Sequence, residues 1–414
     1  MKRPTEHSVA FKTLSLFTGV GGLDYGFEAA GFDTAVAVEM DPHACRTLRL
    51  NRQWPVLEGD IAAISSQSIL EAGGLKVGEA DVLVGGPPCQ PFSKSGYWAT
   101  GDAGRLRDPR ADTLVQYLRV LSDTQPKAFV IENVLGLGYA GKSEGLDLIR
   151  RGVTRINAKT GARYSLAVKA LNAADYGVPQ QRERLFVVGL RDGAEFVFPS
   201  PTHCPPEKVG AVGGEPYLTA WDALGGLEPQ APDPQLAMTG KWGDLLPTIP
   251  EGANYLWHTA RGGGHPLFGW RTRFWNFMLK LAKDRPAWTI QAQPGPSTGP
   301  FHWDNRRLSA AELARLQTLP DDLRFESNRA EAQKLIGNAV PSALAEVIAL
   351  ALAEQVFGQG ARAPSLLPER RDDRPGPSPV APLPRKYRGL IGVHKEHPGT
   401  GKGRGASLRL LEAA

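Results

Sequence analysis

Thr13-Leu14-Ser15-Leu16-Phe17-Thr18-Gly19-Val20-Gly21-Gly22-Leu23-Asp24 reads as a short apolar strand that breaks into a glycine turn and restarts as a helix. Backbone without Cβ atoms lets a ligand come close, and the amides that open a helix favour negative groups. Alone, such a turn fits a purely structural role equally well. The rhythm recurs downstream, where Ala35 to Glu39, Ala80 to Val84, Ala128 to Glu132 and Leu185 to Gly189 are further short apolar runs separated by helical patterns. Buried strands alternating with helices predict an α/β fold with a doubly wound, mostly parallel sheet. The notable polar residues stand at the carboxyl ends of these runs, the edge where such sheets bind ligands.

Glu39, followed by Asp41, ends the second run, where a carboxylate accepts hydrogen bonds from ribose hydroxyls. Gly59-Asp60-Ile61 sets a carboxylate beside an apolar residue, a pairing suited to an adenine amino group and ring face. Each carboxylate reads equally as surface. Their order after successive strands points to a nucleoside cofactor.

Gly85-Gly86-Pro87-Pro88-Cys89-Gln90-Pro91-Phe92-Ser93 puts a cysteine just past a strand, with two prolines before it and a glutamine-proline pair after it that place it to react instead of pack. Ile131-Glu132-Asn133-Val134 ends the fourth run with a carboxyl group. With a raised pKa it could protonate a ring nitrogen while a thiolate adds to a nearby carbon, the alternative being a helix cap. In Tyr176 to Arg184, period-2 alternation puts Arg182 and Arg184 on one side of a strand, as forks for a pyrimidine carbonyl or a phosphate. One of the two is expected to pair with Glu132 or Glu183 instead. Lys334 to Pro341 is a Gly-Asn turn into a helix, able to close over a cofactor or to be an ordinary turn.

A chain of 414 residues with 42% hydrophobic content has room for two domains and a tail. The expected division is a catalytic and cofactor-binding domain over 1–190, a smaller irregular domain over 191–333, a helix over 334–357 returning to the first, and a disordered basic Pro/Gly-rich tail over 358–414. The irregular region up to Asn305 holds seven of the nine tryptophans. Its stretch Arg261 to Arg285 interleaves Arg271, Arg273, Lys280 and Lys283 with Trp270, Phe274, Trp275 and Phe277, either as a nucleic-acid surface or as a small core with a solvated face. Ser309 and Glu312 form a capping-box pattern ahead of a helix. The net charge of +5 comes from the tail, which has 11 Lys/Arg against 5 Asp/Glu, so DNA affinity of the folded part has to come from local patches. Only Cys45, Cys89 and Cys204 are present, without metal-ligand spacing, which fits a reducing compartment and no metal site. No bilayer-length apolar run or signal segment is read, so a cytoplasmic address is expected.

Pro87-Pro88-Cys89-Gln90, Glu132-Asn133-Val134, Gln180 to Arg184 and Gly337-Asn338-Ala339-Val340-Pro341 together resemble the DNA (cytosine-5) methyltransferase family of bacterial restriction-modification systems. The resemblance runs in the family's order from Phe17 to Pro341. It implies an S-adenosylmethionine-dependent methyltransferase fold with a target-recognition domain in the irregular region. It implies that Phe17, Gly19, Val20, Gly22, Leu23, Glu39, Met40, Asp60, Ile61, Pro88, Asn338 and Val340 surround S-adenosylmethionine, which leaves as S-adenosylhomocysteine. Cys89 would be the nucleophile, Glu132 and Arg182 would hold a flipped-out cytosine, and Arg184 would support the pocket from behind. The loop Gln90 to Asp108, with Gly96, Gly101 and Gly104 as hinges and Lys94, Arg105 and Arg107 for phosphates, would close on DNA. The implied partner is double-stranded DNA, met by a nucleoid-associated monomer working beside a restriction endonuclease without a stable complex, and no membrane. Competing expectations are a transfer-RNA cytosine-5 methyltransferase and a catalytically silent DNA-binding protein on the same scaffold. Glu132 in place of a second cysteine argues against the two-cysteine RNA enzymes, and Cys89 after the prolines argues against amino-group methylation.

Overall fold

β1 (Phe11–Leu16) is buried from Thr13 onward, because it is an interior strand of a sheet whose two faces are both covered by helices. The computed structural model describes residues 10–88, 112–138, 144–227, 233–270 and 274–393. Cys89, the loop from Gln90 to Asp108, Arg271 and Arg273 lie outside the described residues. With β2 (Phe32–Glu39), β3 (Val56–Glu58), β4 (Val82–Gly85), β5 (Ala128–Asn133), β6 (Ala167–Asn172) and β8 (Glu183–Leu190), the main sheet has seven strands in the order β3-β2-β1-β4-β5-β8-β6; the two-residue β7 (Gln180–Gln181) pairs outside it, with Ala287–Trp288. β1 to β5 run parallel, with Leu14 beside Leu83 and Leu83 beside Phe129. The fifth apolar run, Leu185 to Gly189, belongs to β8, which is antiparallel to both β5 and β6. A parallel return would need a helical crossover. The chain between β6 and β8 offers only a short helical turn at Ala173–Tyr176, so β8 folds straight back.

On one face lie α1 (Gly22–Ala29) and α9 (Ser342–Phe357), with Phe27, Phe32, Val84, Val130, Val188, Leu344 and Ile348 in one core. On the other lie α3 (Ser66–Ala72), α4 (Asp112–Thr124) and α5 (Glu144–Thr160), closing a second core around Leu14, Leu83, Tyr117, Phe129, Ile131 and Ile149. Each fully buried Phe or Leu here contributes about 1.5–3 kcal/mol. α1 and α9 touch backbone to backbone, since a Cβ on Gly26 would stand 2.4 Å from Ser342 O and one on Gly22 would stand 2.3 Å from Val340 O. α8 (Arg329–Asn338) precedes α9, and together Arg329–Phe357 is apolar and long enough to cross a bilayer by composition. Its most apolar 18-residue stretch is 83% buried inside the protein, as a core element is.

The irregular region divides between two cores. α6 (Ala220–Leu224) and α7 (Ala310–Leu316), with Leu281, Ile290, Trp303 and Ile336, pack against Val20, Tyr25 and Ala44, so they extend the body built on the main sheet. The capping box of Ser309 and Glu312 starts α7. Leu245, Leu246, Ile249, Tyr255, Leu256, Leu267, Met278 and Phe301 make a core of their own. Trp242, Tyr255, Phe268 and Phe277 meet there edge to face, whereas Trp270, Phe274 and Trp275 stand 39%, 52% and 42% exposed.

Residues 358–393 do not form the disordered tail expected from their composition. Leu366 and Leu367 pack on the core beneath α9, while Leu383 and Tyr387 enter the separate core of the irregular region. The segment is poor in apolar residues, but the few it has fit into cores that other parts of the chain build.

Candidate active site

The chain turns sharply where β1 ends. Phe17, Gly19 and Gly21 all take positive φ, at 55°, 57° and 87°, and Gly21 caps α1. Glu39, at the end of β2, secures this turn: its Oε2 accepts the Gly19 N–H at 2.7 Å, and its Oε1 accepts those of Met40 and Asp41 at 2.8 Å. Asp41 caps α2 (Pro42–Asn51) and pairs with Lys334 of α8 at 2.8 Å, which brings the Asn338 to Val340 turn to the same edge. Asp60 is exposed and accepts the Ala62 N–H at 2.9 Å, with Ile61 buried beside it. Met40, an apolar side chain beside a carboxylate, is 64% exposed among the described residues. Acidic acceptors next to uncovered apolar surface suit a nucleoside, whose hydroxyls and ring need one of each.

The expected cofactor residues therefore fall into two groups. Phe17, Gly19, Glu39, Met40, Asp60, Ile61, Pro88 and Asn338 lie along the carboxyl edge. Val20 and Leu23 point into cores, and Gly22 and Val340 are pressed against each other, so these four hold the turn in shape and present little side chain to a ligand. A separate cleft among Lys12, Glu28, Arg52 and Trp54 opens at the amino ends of β1 and β2 and contains none of these residues.

Glu132 is the penultimate residue of β5 and is only 8% exposed. Burial pushes its carboxyl pKa up, against the opposing pull of Arg184 and Arg182. The chain leading to Cys89 passes directly over it: a Cβ on Gly86 would stand 3.2 Å from Glu132 Oε2, and Asn133 Nδ2 donates to Pro87 O at 3.1 Å. Thr113 of α4 donates to Pro88 O from the other side at 3.3 Å.

The two arginines exchange the places that the sequence suggests. Arg184 Nε meets Glu132 Oε1 at 2.8 Å. Arg182 is buried beneath the pocket, where Nη2 donates to Gly337 O at 2.8 Å and Ala339 O at 2.9 Å and Nη1 donates to Ile290 O at 3.3 Å. Alternation fails because β7 stops at Gln181 and β8 starts at Glu183, so Arg182 falls in the break. The expectation that Arg182 joins Glu132 on a base, with Arg184 behind it, is corrected accordingly.

Sequence reasoning gave no role to a buried amide network behind the site. Gln180 Nε2 donates to Leu316 O and Gln317 Oε1, both at 3.0 Å, and Gln317 Nε2 donates to Ile336 O at 2.8 Å. Two polar residues in otherwise apolar helical spacing, Gln317 and Thr318, were the available signal.

Comparison with known proteins identifies the scaffold. Residues 11–354 match the family model for C-5 cytosine-specific DNA methylase. The chain belongs to that family. The methylase is 41% identical over 369 residues to the Type II methyltransferase M.SacI of Streptomyces achromogenes, covering 83% of this chain and 93% of that one. It is 45% identical over 235 residues to M.AquIA of Picosynechococcus, covering 55% of this chain and 93% of that one. A crystal structure of an Escherichia coli prophage-encoded putative DNA modification methyltransferase superposes with a TM-score of 0.59 at 24% identity, over 84% of this chain and all of the other, and shows the shared fold. The methylase is thus a DNA cytosine-5 methyltransferase of the restriction-modification type, with DNA as substrate and the family's general use of S-adenosylmethionine.

Proposed function

We propose that the methylase transfers a methyl group from S-adenosylmethionine to C5 of a cytosine flipped out of duplex DNA, through a covalent bond between Cys89 Sγ and C6. The observation that carries this reading is the passage of Gly86 and Pro87, three and two residues ahead of Cys89 in the sequence, over the carboxyl of Glu132, a buried acid paired with Arg184.

The cytosine ring carbon C5 is a poor nucleophile. Addition of a thiolate at C6 moves electron density toward C5, and a proton from Glu132 at N3 absorbs the charge that develops. A carboxyl group whose pKa burial has raised keeps the proton this step needs. Arg184 is placed to hold both that carboxyl and the neighbouring ring carbonyl. When bound, S-adenosylmethionine supplies an electrophilic methyl group. Glu39 and Asp60 would accept its ribose and adenine hydrogen bonds, and Met40 and Ile61 would cover the ring. Loss of the C5 proton to solvent then expels the Cys89 thiolate, Glu132 takes back the N3 proton, and the ring is restored.

The exposed Trp270, Phe274 and Trp275, with the Arg261 guanidinium 5.2 Å above the Trp270 ring, are the surface proposed to meet the duplex. Trp275 packs on Trp288, whose strand pairs with Gln181 next to the arginines, so this surface continues from the pocket. The reading includes a cytoplasmic monomer acting beside a cognate restriction endonuclease.

Tritium transfer from labelled cofactor tests the proposal on duplex DNA and on transfer RNA in parallel. Wild type should label the duplex alone, and Cys89→Ser should bind cofactor but lose turnover. A Cys89→Ser protein with undiminished turnover removes the covalent step, and labelling of transfer RNA alone removes the substrate. Bisulfite sequencing of DNA from expressing cells gives the recognition sequence.

A further inference from the structure

Residues 358–393 lie beyond the family match, which ends at residue 354. They nonetheless fasten to the protein at three separate places. Near α9, the Ser365 and Leu366 N–H groups donate to Glu346 at 2.7 and 2.9 Å, and Leu366 and Leu367 pack on the core. At α6, the Arg371 N–H donates to Asp222 Oδ1 at 2.7 Å and Trp221 Nε1 donates to Asp373 Oδ1 at 2.9 Å.

The third fastening is on the separate core of the irregular region. Glu251 and Lys283 form an ion pair whose side chains are 6% and 7% exposed, and the chain completes it. The Ser378 N–H donates to Glu251 Oε1 at 2.7 Å, and Lys283 Nζ donates to Ser378 Oγ at 3.1 Å. Tyr387 then stacks on Trp242 with ring centroids 5.6 Å apart and donates its hydroxyl to Lys241 O at 2.7 Å. Leu383 and Tyr387 are two of the ten buried residues of that core. Seven prolines between Pro364 and Pro384 stiffen the connection, since proline-rich chain behaves as a semi-rigid spacer.

A stiff segment docked by side chains at both ends limits how far the two bodies can move apart. We propose that residues 358–393 form a brace holding the separate core at a fixed position beside the catalytic edge, with Ser378 and Tyr387 as positioning residues for DNA. Their effect is on the surface that carries Trp270, Phe274 and Trp275, so the inference rests on that surface meeting the duplex. Binding to a preoriented surface avoids an ordering cost that a loosely tethered one incurs.

The stretch Arg374-Pro375-Gly376-Pro377 is exposed, which allows the brace to be cut while each half stays docked. A protease recognition sequence is built into this stretch, and wild-type, uncut and cut proteins are compared on duplex DNA. Cutting should raise KM for DNA about tenfold, equivalent to about 1.4 kcal/mol, with kcat at saturating DNA changed less than about twofold. Calorimetric binding of S-adenosylhomocysteine should not change. An unaltered KM in the cut protein overturns the brace. Loss of S-adenosylhomocysteine binding overturns it too, because the segment would then support the whole fold. Wild-type protein that labels transfer RNA instead of DNA is a different failure, one that sinks the DNA reading and the brace's assigned role with it.

Discussion

Replacing Arg182 and Arg184 separately by methionine should break the protein in two different ways. In Arg182→Met, the carbonyls of Gly337, Ala339 and Ile290 lose donors at 2.8, 2.9 and 3.3 Å in a site closed to water. A stranded buried acceptor costs about 1–3 kcal/mol; Ala339 O keeps Gln317 Nε2 at 3.3 Å, so the two others cost about 2–6 kcal/mol in total. Burial already works against the Arg182 charge, and methionine removes that penalty, so the lower part of that range, about 3 kcal/mol, is expected. For a chain of this length that lowers the melting temperature by roughly 5 °C. In Arg184→Met, Glu132 loses the partner at 2.8 Å but can keep its proton, and stability should fall by only about 1 kcal/mol. Turnover should fall about 100-fold, as when a donor to developing charge is removed. The assays are thermal unfolding and single-turnover methyl transfer on duplex DNA. An Arg182→Met protein that melts like wild type yet is inactive, beside an active Arg184→Met, would refute this division of labour.

Two further outcomes follow from buried acids. Burial raises the Glu132 pKa, so its proton persists above the ordinary carboxylate range and is lost as pH climbs through the raised value. Wild-type turnover should decline on that alkaline side, while Glu132→Gln should be about 100- to 10,000-fold slower and show no such limb in a pH–rate profile; a retained limb assigns the proton elsewhere. Asp24 is fully buried, and burial pushes its pKa up to about 6, with Oδ1 accepting from Thr34 at 3.1 Å and Oδ2 unpartnered among the described residues. A raised folded pKa gives stability that is complete below the unfolded value and is lost as pH rises through about 6. At pH 8 ionisation costs the wild type about 3 kcal/mol, so Asp24→Asn should gain stability in urea at that pH and little at low pH. Identical pH slopes in the two proteins would count against it.

The repeated strand and turn pattern made the sheet and its functional edge legible, because buried parallel strands need unbroken apolar runs and the polar residues that follow have one place to go. The direction of β8 was not legible, since an apolar run has no sign; the missing crossover helix between β6 and β8 was the only clue. Strand β3 is three residues long, too short for a periodic signal. Glu132 could be read because it ends an apolar run, whereas the roles of Arg182 and Arg184 turned on a single-residue break in the ladder at Arg182. For residues 358–393 composition misled, because a segment that contributes Leu383 and Tyr387 to an existing core needs no core of its own.

The close approach of Gly22 and Gly26 to Val340 and Ser342 also sets a schedule. A ribosome makes β1, Glu39, Cys89 and Glu132 within the first third of the chain, but the neighbour that seats the opening helix comes more than 300 residues after it. Synthesis proceeds from the amino end, so a nascent chain holds every reactive group long before those groups have a finished frame. Translation that stops short of Ser342 therefore leaves a polypeptide with all the chemistry and an uncovered apolar face on its first helix, a target for chaperones and proteases and not a half-working modifier of the genome.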